Sequence, residues 1–374
     1  MFKNNRRVLD EVFSPVSLDR PQDEAEPVVR TSGSQMPAAV TRRFALLALS
    51  AFGLGVSRSP APRASAGGGQ RLEVVLAIEP TGRPARAWLD AIRDRVSANE
   101  LAQLAATARP LTADEQDWAD MIGRVAPVWF AGVARLNAPF RSVTPPARPK
   151  VVLGRGGGDD AFGTPPDVMA FDLSALAAAY DDHAEAARKA LMSRLLSHEY
   201  THLLAVPFLN SIGWTEAWAG VRPYRRALRV LYNEGLGNMR SVEGDARWTV
   251  PSGQPTDRAR EALARLTPVL AERLQALAAD PAPDVAKNLL RNISQGPFAG
   301  KWGALPIALW LAADSGFQPD RIAHWVEAGP PGMLRLAAVY ADPAYAAVFE
   351  RLEAEPTVTA PERFVANRRT ALPK

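Results

Sequence analysis

Cysteine is absent from this 374-residue chain, and histidine occurs only four times. Without cysteine there can be no disulfide and no thiolate metal ligand, so any zinc-type site must be built from imidazole and carboxylate. A membrane-spanning run is missing too. The apolar stretch Phe44 to Val56 is thirteen residues long, too short for a permanent bilayer helix. A net excess of either charge is missing from most of the chain. Residues 1–66 hold 9 of the 44 Lys and Arg and 6 of the 40 Asp and Glu, leaving 35 against 34 in the remainder. Nucleic-acid binding needs a clustered positive footprint, and this balance offers none. Arg222, Arg225, Arg226 and Arg229 are a local exception, read as a solvated helix face. Glycines 154, 156, 157 and 158 have no Lys-Ser/Thr after them, so they read as a turn between strands and not as a phosphate cradle.

Residues 37–66 have the layout of an export signal. Thr41-Arg42-Arg43 precedes the apolar run, and Ala64-Ser65-Ala66 offers small residues for cleavage before Gly67. Paired arginines ahead of a weakly apolar run suggest the twin-arginine route, with ordinary secretion as the alternative. The expected location is therefore periplasmic or secreted. The charged, proline-containing residues ahead of Met36 are unlike a signal peptide, so Met36 is a candidate true start.

The scarce histidines are not scattered. Two of the four fall in His198-Glu199-Tyr200-Thr201-His202, the pattern H-E-x-x-H. On a helix of 3.6 residues per turn, side chains four apart share a face, so both imidazoles can reach one metal. Glu199 then stands where a general base would act on a water. Leu191, Leu195, His198 and His202 form one helical stripe, and Leu196, Leu203 and Leu204 let the segment be buried. Asp182 with Glu185 resembles a helix start, and Pro207 is expected to stop the helix.

A catalytic zinc usually takes three protein ligands. Ala205 and Phe208 occupy the third and sixth places after His202, which excludes the continuation that would supply a third histidine. A glutamate on a second helix fits better. Pro223 suits a first turn, and Tyr224 to Asn238 reads as a helix with Ala227, Val230, Leu231, Glu234 and Asn238 on one face. Glu234 follows His202 by thirty-two positions, enough to leave one helix and return antiparallel. Glu216 competes, but little chain separates it from His202. His183 lies too far along to share the metal, and His324 reads as structural.

H-E-x-x-H followed by a helix reading Asn233-Glu234-Gly235-Leu236 resembles the gluzincin clan of zinc metallopeptidases, bacterial zinc-dependent peptidases included. The resemblance is tight at His198 to His202, good at Glu234, and loose over residues 165–315. It implies His198, His202 and Glu234 as Zn2+ ligands, Glu199 as the base, and a peptide or protein as substrate. Many gluzincins carry an acid four residues after the glutamate ligand, where it orients a ligand histidine. Asn238 stands there instead, with an amide oxygen able to accept the same hydrogen bond. Peptide docking is expected along an exposed strand, for which residues 167–172 are the candidate because they alternate. Tyr224, Tyr232, His324 and Arg240 are candidate oxyanion donors.

The expected fold is α+β and mostly helical: a zincin-like small sheet over the H-E-x-x-H helix, then an all-helical C-terminal half. Strands are expected at 71–78 and 151–153, and helices at 85–109 and 112–136. Trp302 and Trp310 read as core residues in the apolar segment 298–310. The organisation is an export region (1–66), a zincin-like catalytic domain (67–250) and a helical region packed on it (251–374). An exported zinc metallopeptidase is the leading function. The alternatives are a catalytically inactive metal-binding protein, or a helical scaffold of the cell envelope in which the motif is incidental.

Overall fold

Two kinds of pattern share the chain, short β-branched runs early and long amphipathic helices later, and they form a small sheet backed by helices. The computed structural model describes residues 70–180, 183–219 and 222–355. The fold is mostly helical with one four-stranded mixed sheet.

Strand β1 (Glu73–Leu76) is followed by helices α1 (Arg86–Ile92), α2 (Ala98–Ala106), α3 (Ala113–Phe130) and α4 (Ala134–Asn137). Residues 85–109 are not one helix. Ser97 accepts from the Glu100 N–H while the Glu100 carboxylate accepts from the Ser97 N–H, a capping box that starts a new helix. Thr112 and Glu115 do the same for α3. Trp88 and Ile92 of α1 pack on the sheet face formed by Val152, Phe162 and Ala170.

Three further strands follow: β2 (Lys150–Gly154), β3 (Ala161–Thr164) and β4 (Val168–Asp172). The spatial order is β1-β2-β4-β3. The first three in that order are parallel, and β3 runs antiparallel to β4 in the register Phe162 opposite Ala170 and Gly163 opposite Met169. This corrects the expectation for residues 167–172. They form an interior strand, Met169 to Asp172 all buried, and the edge strands of the sheet are β1 and β3. Asp172 ends β4 by accepting from the N–H groups of Gly157, Ser174 and Ala175, which starts α5 (Leu173–Tyr180).

The metal-motif helix is α6 (Glu185–Ser211), with Pro207 inside it and not at its end. A proline removes one hydrogen bond and one carbonyl partner, a cost this helix bears within a well-packed setting: Leu196, Leu203, Leu204, Phe208 and Leu209 are all buried. Each such side chain stabilises by about 1.5–3 kcal/mol. The short α7 (Glu216–Ala219) leads to α8 (Pro223–Val242), where Pro223 takes the first turn. The remaining helices are α9 (Asp257–Ala278), α10 (Pro283–Leu290), α11 (Ala304–Ser315), α12 (Pro319–Tyr340) and α13 (Pro343–Glu353).

Helix α8 lies between α6 and α11. Gly235 lets α11 approach closely, since a Cβ there would stand 2.4 Å from Ile307 Cγ2. Trp302 and Trp310 are buried in this packing. Residues on both sides of position 250 share one hydrophobic core, from Trp118 through Leu236 to Leu352. Residues 1–66, with the export signal and Met36, lie outside the described residues. Asp182 does too. No helix among the described residues is long and apolar enough to cross a membrane.

Candidate metal centre

The site is made where α6, α8 and β3 meet. His198 and His202, one turn apart on α6, present their rings edge to face with centroids 4.6 Å apart. Glu234 approaches from α8. Its Oε2 is 3.8 Å from His198 Nε2 and its Oε1 is 3.6 Å from His202 Nε2. Donor atoms of the three residues all lie within 4.8 Å of one another. Two ligands about 2.1 Å from a tetrahedral ion stand about 3.4 Å apart. The observed separations are close to that, so this donor set fits a small divalent metal.

The backbone around the cluster is shaped for it. A Cβ on Gly237 of α8 would stand 2.9 Å from His202 Cε1 and 3.0 Å from His198 Nε2, so only glycine lets the rings lie against this helix. Gly163 of β3 does the same on the other side: a Cβ there would be 3.2 Å from the Glu199 carbonyl oxygen and from His202 Cβ.

Glu199 is 4% exposed, and its Oε2 has no hydrogen-bond partner among the described residues. Its Oε1 lies 4.0 Å from His198 Nε2. Burial, then the negative charges of Glu234 and Asp160, push this carboxyl well above the usual carboxylate range; Arg95 and Lys301 pull the other way. His198 shifts oppositely. Burial, His202 and Lys301 hold it well below the ordinary histidine value, against a hydrogen bond to the Gly237 backbone. A neutral imidazole is the form that binds metal.

The orienting contacts differ from expectation. Asn238 does not hold a histidine. Its Nδ2 donates to the Glu234 carbonyl oxygen at 2.8 Å and lies 3.4 Å from Glu234 Oε2, while its Oδ1 is buried without a partner among the described residues. The His198 ring is met instead by Ser241, whose Oγ is 3.0 Å from Nδ1. His202 Nδ1 has no hydrogen-bond partner among the described residues.

Three further groups border the cluster. Asp160, at the start of β3, accepts from the Tyr180 hydroxyl at 2.9 Å and from the Ala161 N–H at 3.0 Å, and burial raises its pKa. Arg95 ion-pairs with Asp159 and lies over the Phe162 ring at 4.2 Å. Lys301 lies over the Phe298 ring at 5.5 Å and makes no ion pair among the described residues. None of the three carried a signal in the sequence; each is brought in by the turn before β3, the turn after α1, or the turn before α11. Ser241 did carry one: it follows Glu234 by seven, the same helix face as Asn238.

The other candidates lie elsewhere. Glu216 is exposed on α7, with Arg226 and Arg229 as its charged neighbours. Those two arginines are half-buried, and Arg229 donates to the Trp214 carbonyl oxygen, so the cluster is only partly a solvated face. The hydroxyls of Tyr224 and Tyr232 donate to the carbonyl oxygens of Leu352 and Val326. Arg240 is buried against Glu243, and His324 and His183 are exposed. No protein-family model, no curated protein and no solved structure matches this chain.

Proposed function

We propose that the chain is a zinc-dependent metallopeptidase, and that the fold around its metal cluster is zincin-like. One observation carries the reading. Glu199, a buried carboxylate with an unpartnered oxygen, stands beside a His-His-Glu cluster, directly under an edge strand. A metal-binding site without catalysis has no need of that fourth, unsatisfied carboxylate.

Zinc held by His198, His202 and Glu234 would supply a Lewis acid and lower the pKa of a bound water. The chain's own groups do the rest. Glu199 accepts the attacking water's proton and delivers it to the leaving amine, a role that favours a carboxyl pKa raised towards neutrality. The free edge of β3 takes the peptide as an added strand, main chain to main chain. Gly163 in that strand brings the docked segment close to Glu199. The twin-arginine-like segment before residue 67 extends the proposal to an exported protein.

The test is metal content and peptide cleavage of the full chain beside the Glu199→Ala and Glu234→Ala variants. About one zinc per chain, lost with Glu234→Ala, together with cleavage lost in Glu199→Ala, is the expected result. Zinc without cleavage moves the protein to a metal-binding role in the envelope. Absence of bound zinc after supplying it leaves the scaffold reading.

A further inference from the structure

We infer that Ser241 is the positioning residue for His198, taking the task that the amide of Asn238 does not perform. The inference rests on the metal reading above and adds to it the group on which metal affinity depends.

Along α8, Glu234, Asn238 and Ser241 occupy one face at i, i+4 and i+7. Helix α6 runs past that face in the opposite direction. Glu234 lies at His202, Gly237 under both rings, and Ser241 at His198. Three positions on from Asn238, the face has moved beyond the carboxylate and reached the far nitrogen of the first histidine. Asn238 is occupied one turn back, with its amide on the Glu234 carbonyl oxygen. The two polar residues thus divide the work: Asn238 holds the segment carrying the carboxylate, and Ser241 holds a ring.

An imidazole that binds metal through Nε2 must carry its proton on Nδ1, and that proton needs an acceptor. The Ser241 hydroxyl oxygen stands 3.0 Å from Nδ1. Accepting from Nδ1–H leaves Nε2 with its lone pair on the side of Glu234, 3.8 Å from Oε2. A serine does this without adding negative charge to a pocket that already holds Glu199 and Glu234. His202 has no such acceptor on its Nδ1 among the described residues, so His198 is the ligand whose orientation is set before metal arrives.

The experiment reads the ring and the metal separately. Imidazole nitrogen NMR on the metal-free full chain is tractable because there are only four histidines. His198 is expected as the Nδ1–H tautomer in the unaltered protein, with that preference lost in Ser241→Ala and restored in Ser241→Thr. Zinc titration against a competing chelator should show about tenfold weaker binding in Ser241→Ala, with the metal-free protein still folded and unfolding cooperatively. A wild-type His198 protonated on Nε2 overturns the inference. So does a Ser241→Ala protein that binds zinc as tightly as its parent. Should the tautomer and its loss be as expected while no variant binds zinc, the positioning contact stands and the metallopeptidase reading fails.

Discussion

Gly237 and His198 are in contact across two helices: a Cβ at position 237 would lie 3.0 Å from the Nε2 that faces Glu234. A methyl group there must displace the ring or the helix by a few tenths of an ångström. Elsewhere on a helix, replacing glycine by alanine gains up to about 1 kcal/mol in propensity. Gly237→Ala therefore separates folding from function. Its metal-free unfolding free energy should stay within about 1 kcal/mol of the parent, while zinc affinity falls at least about tenfold, on the scale of losing an orienting group. Equal zinc affinity would show that the cradle is not needed.

On the opposite wall, Gly163 makes a different prediction. Its neighbours are the Glu199 carbonyl oxygen and His202 Cβ, each 3.2 Å from where a Cβ would be, and the Glu199 carboxylate at 3.4 Å. A Gly163→Val side chain would push β3 away from α6 without touching Glu234. Zinc stoichiometry should remain at about one, and peptide-cleavage kcat/KM should drop by about 100-fold, a loss on the scale of misplacing a substrate by about 1 Å. Loss of zinc in parallel would mean that the strand supports the cluster itself.

The metal half of the site was legible because helical spacing is strict. Histidines four apart must share a face, and Glu234 sits on a helix whose start Pro223 announces. The strand half was not. Ala161-Phe162-Gly163-Thr164 is four residues with a glycine, too short to show a period of two. The alternation at 167–172 suggested a half-exposed strand, yet Asp172 is buried because it caps the chain's turn into α5. The same limit applied to the helices. Ser97 and Glu100 were in plain view as a capping box, but alanine and leucine on both sides continue a helical composition across the break. For Asn238, spacing named the right face and the wrong turn. Which of i+4 and i+7 meets the histidine depends on how far α8 slides along α6, and side-chain spacing carries no information on that.

Glu216 and Glu234 differ by an outcome a single titration can read. Glu234 lies within 4 Å of both histidines, and Glu216 is exposed beside Arg226 and Arg229. Glu216→Ala should bind zinc like the parent, and Glu234→Ala should lose it. Glu199→Gln should keep zinc and lose between about 100- and 10,000-fold in cleavage rate, the range for removing a general base. If Glu216→Ala proved to be the zinc-free variant, the cluster would be assembled differently from the one described.

Asp245, in the turn after α8, gives a pH dependence that does not involve the cluster. Burial raises its pKa, but hydrogen bonds from the Arg247 side chain and backbone, with the charges of Arg247 and Arg194, outweigh burial and set it below the ordinary value. A carboxyl with a lower pKa folded than unfolded stabilises the fold above its unfolded value, about 3.9 for aspartate. That contribution disappears as pH falls through the lower folded value. Acid unfolding should therefore draw on Asp245 below about pH 4 and not near neutrality. Asp245→Ala should cost about 2 kcal/mol at neutral pH, the worth of hydrogen bonds to a charged group, and flatten the stability curve between about pH 4 and the acid transition. Chemical denaturation across that range checks it, and a variant as stable as the parent at pH 7 with an unaltered acid limb would show that Arg247 and Arg194 hold the carboxylate without stabilising the fold.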